Sequence, residues 1–319
     1  MQRILAVRND RFGEFLLNIP ALRALRETFK GEVTLLVDHS VKELALRVPY
    51  ADNVIEWDQK KHSPFELFVF ARQLRKGRFD AAVMLNPSKE LNIATFLAGI
   101  PRRVGYDRKF GFLLSQRIED KKHLGDTHEI DYNLNLVALL GVKTADRTLR
   151  LSLNDSEAFA LLSRLGLAHV KDFIAVHPYT SDPLKQWPLA HFNQLIRLLK
   201  EELGKEIVIV GANPEIPASF QFPEYPGKGV INLIGKTSLS ELAAVLSRSK
   251  LLISADSGPV HLAGCFNVPV LAFFRNDLEG KTARRWGPVS RGSVVMEKNN
   301  LSEITPSEAL LKVKEMLIL

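Results

Sequence analysis

The chain has 319 residues, 46% hydrophobic and 25% charged, with a single cysteine and a net charge of +7. That is the composition of a globular protein of about two domains, and one cysteine excludes an internal disulfide framework and suits a reducing compartment. Residues 1–150 hold 25 Lys+Arg against 19 Asp+Glu, whereas residues 151–319 hold 18 against 17, so the N-terminal half asks for an anionic partner. Basic and acidic residues are interspersed and no basic helix carries base-stacking rings. That argues against nucleic acid and leaves acidic lipid or an acidic or phosphorylated substrate.

The first dozen residues are charged and lack the apolar core of a signal peptide. No apolar run approaches the ~20 residues of a spanning helix. The expectation is a cytoplasmic protein, with peripheral membrane contact left open.

Ile4-Leu5-Ala6-Val7 predicts a first strand, followed by a loop over 9–13. Phe15, Leu16, Ile19, Leu22, Leu25 and Phe29 then recur at helical spacing over 14–29, closed by Gly31. Residues 33–37 predict a strand, 41–48 a helix and 54–57 a short strand. Ser63-Pro64 opens a helix that Gly77 closes. A strand over 81–85, a helix over 89–98 and a strand over 103–106 follow. Residues 107–127 show no period and carry Arg108, Lys109, Arg117, Lys121 and Lys122, which predicts a long exposed loop. A helix over 127–140 comes next.

After Leu151-Ser152-Leu153 a helix is expected over 155–165. The domain boundary is set near 168–171, giving domains 1–168 and 169–319. The second series runs strand 173–176, helix 187–203, strand 206–210, a Pro- and Gly-rich loop over 212–229, strand 230–233 and helix 239–247. It continues with a strand at Leu251-Leu252-Ile253, a helix from Pro259 to about Phe266, a strand over 268–274 and a last helix over 306–316. Strands alternating with helices imply an α/β chain of two doubly wound parallel sheets, two Rossmann-like domains facing a central cleft.

Ligands of open α/β sheets bind at the carboxyl ends of the strands, so the loops there are the candidate sites. After the first strand Asp10 and Glu14 stand four apart around Gly13, and Glu14 sits at a helix start, where negative charge is favoured. No G-x-G-x-x-G lies there, which argues against a nicotinamide dehydrogenase. After the first strand of the second domain, residues 177–187 are rich in hydroxyls, and Thr180, Ser181 and Lys185 can hold a phosphate. Glu215 can accept hydrogen bonds from a ribose, and Ser238, after Lys236-Thr237, suits a helix cap.

The stretch Ser254-Ala255-Asp256-Ser257-Gly258 breaks a buried strand. Asp256 or Ser257 can cap the next helix, Gly258 lets backbone come close to a ligand, and Pro259 suits the first helical position. Free N–H groups at that start, with His261 in the first turn, form an anion site that fits a pyrophosphate. A capped βα turn with no ligand has the same local pattern. The eight histidines lack metal-ligand spacing, and G-x-S-x-G, C-x-x-C and the P-loop are missing. No metal or cofactor is expected, and Cys265, on an apolar helix, reads as a buried inert thiol.

Taken in order, R-N-D-R-F-G-E-F-L-L-N-I-P-A-L-R-A-L, H-P-Y-T-S-D-P-L-K-Q-W-P, I-G-K-T-S-L-S-E-L and S-A-D-S-G-P-V-H-L-A-G resemble the heptosyltransferases of glycosyltransferase family 9 over nearly the whole chain. The resemblance implies a GT-B fold, a donor bound mainly by the C-terminal domain, and inverting, metal-independent transfer of heptose from ADP-heptose to a lipid A-linked lipopolysaccharide core. It implies a general base in the Gly-Asp motif after strand one. Here Gly13-Glu14 stands at that position, one methylene longer, so Glu14 serves, or Asp10 serves, or the activity or acceptor is altered. Lys185 matches the K-x-W lysine that neutralises the donor diphosphate, and Thr180 and Ser181 lie in the loop that hydrogen-bonds it. Asp256, Ser257, Gly258, Pro259 and His261 match the D-[ST]-G-x-x-H element that holds diphosphate and sugar. Thr237 belongs with this donor set, and Glu215 matches an acid that binds the nucleoside. Tyr179 is bulkier than the small residue usual after His-Pro.

For an anionic glycolipid acceptor at the inner face of the cytoplasmic membrane, Lys60, Lys61, Arg102, Arg103, Arg108 and Lys121 have the right sign, with Lys109 and Lys122 beside them. The helix over 64–76, with Phe65 and Phe68, can touch a membrane or pack in the core. Alternatives are a family member using another nucleotide sugar or a later core acceptor, a nucleotide-sugar epimerase on the same fold, or a catalytically impaired nucleotide-sugar-binding protein.

Overall fold

The computed structural model describes residues 1–212 and 229–318. They fall into two compact units, Met1–Ser152 and Leu153–Leu319.

The first unit holds strands β1 (Arg3–Arg8), β2 (Glu32–Val37), β3 (Asn53–Glu56), β4 (Ala81–Met84), β5 (Arg102–Tyr106) and β6 (Gln116–Ile118). They form one sheet in the order β3-β2-β1-β4-β5-β6, every neighbour parallel. β1 lies centrally, with Arg3 to Arg8 opposite Glu32 to Val37 on one side and Ile4 to Val7 opposite Ala81 to Met84 on the other. A strand covered on both faces has no polar side, which is why Ile4-Leu5-Ala6-Val7 is an unbroken apolar run.

The helices of this unit are α1 (Phe12–Leu16), α2 (Ile19–Phe29), α3 (Lys42–Ala45), α4 (Pro64–Lys76), α5 (Lys89–Leu97) and α6 (Glu129–Ala138). The helix anticipated over 14–29 is thus two. Pro20 has no N–H to give the Leu16 carbonyl, so the ladder cannot continue. Asn18 fills the break, its Nδ2 donating to the Glu14 carbonyl at 2.7 Å and the Phe15 carbonyl at 3.2 Å. α4 starts in a capping box: Ser63 Oγ accepts from the Glu66 N–H and the Glu66 carboxylate accepts from the Ser63 N–H. Its Phe70, Ala71 and Leu74 pack with Leu5, Val7, Met84 and Leu91. Residues 107–127 are not simply a loop. They include the edge strand β6 and two short 3₁₀ turns, and Lys122 is buried.

The second unit holds α7 (Asp155–Arg164), β7 (Ile174–His177), α8 (Leu189–Leu203), β8 (Ile207–Ile209), β9 (Val230–Asn232), α9 (Leu239–Arg248), β10 (Leu251–Ala255), α10 (Gly258–Gly264), β11 (Val270–Arg275), α11 (Ala283–Trp286), β12 (Val294–Lys298) and α12 (Pro306–Ile318). Its sheet runs β12-β11-β10-β7-β8-β9, again all parallel. The division between units falls before α7 rather than near 168. The reason is packing: α7 lies on α9, with Arg164 3.3 Å from Glu241 and Arg248 2.7 Å from Asp155. The edge strand β12 went unforeseen because its side chains are half-exposed or exposed.

In each sheet the strand order reverses beside a central strand, between β1 and β4 in the first and between β7 and β10 in the second. At such a point neighbouring loops leave in opposite directions and open a crevice at the carboxyl edge. No helix among the described residues is long and apolar enough to cross a membrane.

Candidate active site

At the switch point of the second sheet, the loop after β7 meets the loop after β10. Lys185 Nζ lies 2.5 Å from Asp256 Oδ2, both side chains largely buried. Lys185 closes a 3₁₀ turn that Asp182 caps by accepting from the Leu184 N–H at 3.2 Å. Gln186 stiffens the loop from within. Its Nε2 donates to the Pro178 and Trp187 carbonyls at 2.6 Å, and its Oε1 accepts from the Thr180 N–H at 3.2 Å. Trp187 then anchors the loop in the core. It is fully buried, stacks on Phe273 with centroids 4.3 Å apart and donates Nε1–H to the Ile304 carbonyl at 2.9 Å. The K-x-W spacing therefore has a mechanical meaning: the tryptophan fixes the backbone and the lysine two residues earlier is held at the sheet edge.

Asp256 is pushed above the usual carboxylate range by burial, with the Lys185 ammonium opposing that rise. Thr180 is turned inward to its own loop, donating Oγ1–H to the Asp182 carbonyl at 2.6 Å, while Ser181 is exposed. Lys281 adds a second ammonium, 3.2 Å from Asp182. Tyr179 rests on Gly211, where an added Cβ would lie 3.3 Å from its ring. The bulky residue after His-Pro is thus accommodated by a glycine on the neighbouring loop.

Ser257 stands at the N-cap of α10 but makes no capping bond. Its hydroxyl is 3.1 Å from His177 Nδ1 and 2.9 Å from Ser254 Oγ, and Ser254 Oγ is 3.3 Å from the same nitrogen. Burial lowers the His177 pKa to about 4, so the imidazole is neutral and its ring nitrogen ties the ends of β7 and β10 together. The expected row of free amides at the α10 start is shorter than anticipated, because Pro259 has none and the Val260 N–H donates to the Ser257 carbonyl at 3.1 Å. His261 is buried in the first turns of α10, its ring 6.4 Å from that of Trp286. Thr237 lies after the edge strand β9, at the carboxyl edge. Glu215 lies outside the described residues. Burial drives the Cys265 thiol well above its usual range, as an inert core thiol requires.

At the switch point of the first sheet, the loop after β1 carries both candidate carboxylates, in opposite environments. Asp10 is bound by Arg8, whose buried Nε donates to Asp10 Oδ1 at 2.6 Å. Arg8 Nη1 donates to the Leu85 carbonyl at 3.0 Å and lies 3.7 Å from the buried Glu129. Glu129 in turn accepts from Lys122 Nζ at 2.6 Å. Lys122 Nζ sits 4.6 Å over the Tyr106 ring. Sequence alone does not reveal this chain, because its links Arg8–Glu129 and Lys122–Glu129 span 121 and 7 positions, and Lys122 is enclosed where a loop cation was expected. Glu14, in the first turn of α1, pairs with the exposed Arg11 at 3.1 Å. Burial raises its pKa, Asp10 adds to the rise, and Arg11 and Arg8 oppose it.

The six cations proposed for an acceptor divide by strand polarity. Lys60 and Lys61 follow β3, Arg108 follows β5 and Lys121 follows β6, so all four emerge at the carboxyl edge that carries Glu14. Arg102 and Arg103 begin β5 and lie at the opposite edge. Arg103 is further committed, donating to the Leu113 carbonyl at 2.9 Å and to the Ile100 carbonyl, and its guanidinium lies over the Phe96 ring. Among the described residues no cluster of three His, Cys, Asp or Glu is placed to hold a metal ion.

The sequence and the fold match known proteins. Residues 67–310 match the sequence profile of glycosyltransferase family 9 (heptosyltransferase). Lipopolysaccharide heptosyltransferase 2 of Salmonella typhimurium is 24% identical over 292 residues, covering 85% of this chain and 82% of that protein. Among solved structures, a family 9 glycosyl transferase of Veillonella parvula superposes with a TM-score of 0.86 at 23% identity, covering 99% of this chain and 97% of the other. The ADP-heptose lps heptosyltransferase II of Escherichia coli gives 0.82 at 20% identity, over 100% and 99%. The two parallel-sheet α/β domains are those of the GT-B fold, and the chain belongs to glycosyltransferase family 9, the heptosyltransferases.

Proposed function

We propose that the protein transfers heptose from ADP-heptose to the lipid A-linked core of lipopolysaccharide, with inversion at the anomeric carbon and without a required metal. It would act in the cytoplasm, peripheral to the inner face of the cytoplasmic membrane. The observation that carries this reading is Lys185, held 2.5 Å from Asp256 at the switch point of the second sheet. An ammonium fixed at a strand edge is poised for a diphosphate.

In this reading Glu14 takes the proton of the acceptor hydroxyl. The hydroxyl oxygen bonds to the anomeric carbon, and the bond to the donor diphosphate breaks with its electron pair leaving on ADP. Lys185 offsets the charge that accumulates on the leaving group, and Ser181, Thr237 and Gly258 line the donor side. Burial supports Glu14 as the base, because a raised carboxyl pKa gives a stronger base near neutral pH. Asp10 is the weaker candidate, its carboxylate being engaged by the buried Arg8. Lys60, Lys61, Arg108 and Lys121 serve the anionic acceptor.

A second reading, a nucleotide-sugar-binding protein with impaired transfer, draws on Glu14 standing where the family motif has aspartate. Transfer of label from ADP-heptose to a heptose-deficient core acceptor separates the two. Transfer lost in Glu14→Gln and kept in Asp10→Asn supports the enzyme reading; ADP-heptose binding with no transfer by the wild type supports the other.

A further inference from the structure

Residues 60–117 hold 12 Lys+Arg against 4 Asp+Glu. This segment therefore carries +8, and the rest of the chain comes to −1. The same segment leaves large rings in water. Phe65 is 75% exposed, Phe68 51%, Phe110 38% and Phe112 66%. These are not surplus core residues, since α4 already has a separate buried face in Phe70, Ala71 and Leu74.

Strand polarity places the four rings together. α4 begins after β3, α5 after β4, and residues 107–113 follow β5. In a parallel sheet the starts of α4 and α5 and the turn directly after β5 lie at one edge, the edge that carries Glu14; the segment then runs back along β5, where the Leu113 carbonyl accepts from Arg103. α4 packs on α5, and His62 Nδ1 lies 2.9 Å from Glu90 Oε2, tying the two helix starts. Lys89, at the start of α5, holds its Nζ 4.5 Å over the Phe110 ring. Phe110 and Phe112 are 5.3 Å apart by centroid, and Asn92 Nδ2 donates to the Lys109 carbonyl at 2.9 Å. The start of α5 is thus flanked by two pairs of exposed rings, among Lys60, Lys61, Lys89 and Lys109.

We propose that this edge of the first unit docks on an anionic lipid bilayer, with Phe65, Phe68, Phe110 and Phe112 entering the interface and the lysines meeting lipid headgroups. Interleaved rings and cations are the chemistry of an interfacial site, where apolar area and anionic charge are offered together. A soluble acidic sugar would use the lysines and leave the rings in water. A second copy of the chain would set Lys60, Lys61, Lys89 and Lys109 against the same four lysines. The inference rests on the reading that the acceptor is a glycolipid held in a membrane, and it brings Glu14 to the edge where that acceptor is presented.

The full chain would be sedimented with phosphatidylcholine vesicles with and without phosphatidylglycerol, beside Phe65→Ser/Phe68→Ser and Phe112→Ser variants whose thermal melts confirm folding. The wild type should sediment with the anionic vesicles only, more weakly as salt rises, and the variants should bind at least about tenfold more weakly. Transfer to a deacylated, soluble core acceptor should be unchanged in the variants, and transfer to the vesicle-borne acceptor should fall. Sedimentation with neither vesicle, equal sedimentation with both, or variants that bind like the wild type would overturn the proposal. So would a wild-type dimer that the phenylalanine variants dissolve. Vesicle binding with no transfer to any acceptor would sink the enzymatic reading and leave the docking surface standing.

Discussion

The ammonium of Lys185 and the carboxylate of Asp256 meet at 2.5 Å, joining two loops 71 positions apart in sequence at the point where the second sheet reverses its strand order. Under the proposed function the donor diphosphate meets an ammonium that Asp256 already holds in position. Lys185→Ala removes a charge-assisted contact of about 1.5–3 kcal/mol, which predicts ADP binding weakened by roughly tenfold or more in calorimetry. Unchanged affinity would count against the diphosphate role.

The same variant has a consequence without ligand. Asp256 is raised by burial and held down by Lys185. Without the lysine its folded pKa rises further above the unfolded value. The stability it contributes is then full below the unfolded pKa and is lost as pH rises through the folded one. Thermal melts of Lys185→Ala should match the wild type best in acid and fall progressively behind toward neutral pH. A constant offset at every pH would show that Asp256 is not the cause.

Partial burial, with the neighbouring Asp10 charge, raises the Glu14 carboxyl pKa from its ordinary value. A base must be deprotonated to work, so the acid limb of the kcat profile should lie above where a solvated glutamate would put it. Glu14→Asp restores the shorter motif residue and should keep measurable transfer, whereas Glu14→Gln should lose at least about a hundredfold in kcat. Asp10→Asn removes a neighbouring negative charge that raises Glu14, so it should move the limb to lower pH without abolishing transfer. If Asp10→Asn abolishes transfer and Glu14→Gln does not, the two roles are exchanged.

The chain from Asp10 through Arg8 and Glu129 to Lys122 is a structural commitment. Removing Glu129 leaves two buried cations without their shared carboxylate, a loss of about 3–5 kcal/mol. Glu129→Leu should therefore lower the urea midpoint far more than Arg11→Ala, which breaks only an exposed pair with Glu14. A Glu129→Leu midpoint within error of the wild type would show that the chain does not hold the loop after β1.

The parallel strands were legible because their burial on both faces writes itself as unbroken apolar runs, and the two loops that meet at the switch point of the second sheet because Lys185-Gln186-Trp187 and Asp256-Ser257-Gly258 each keep their polar groups within three residues. Three features were hidden for physical reasons. The helix break at Asn18 needs the Pro20 ladder argument, which a spacing count skips. β12 is an edge strand with little buried area to pattern it. Arg8, Lys122 and Glu129 are joined only by the fold, so a lysine amid charged neighbours reads as solvated when it is in fact enclosed.

His177 gives the most separable test of the β7–β10 junction. It is buried, within 3.3 Å of two serine hydroxyls, and its pKa is lowered by burial to about 4. A histidine lowered in the folded state binds its proton more readily when unfolded. Its contribution is therefore fully present above the unfolded pKa of about 6.5 and is lost as pH falls toward the folded value. The loss amounts to something on the order of 3 kcal/mol, then levels off. Urea melts at about pH 7 and about pH 4 carry other titrations as well, so the informative quantity is the difference between the wild type and His177→Gln. The amide keeps a hydrogen-bonding group near the serines and does not titrate. The variant should be less stable at neutral pH by the lost packing, and the gap should narrow or reverse in acid. A gap independent of pH would mean that His177 is solvated in the folded protein, and the neutral link between Ser254 and Ser257 would have to be abandoned.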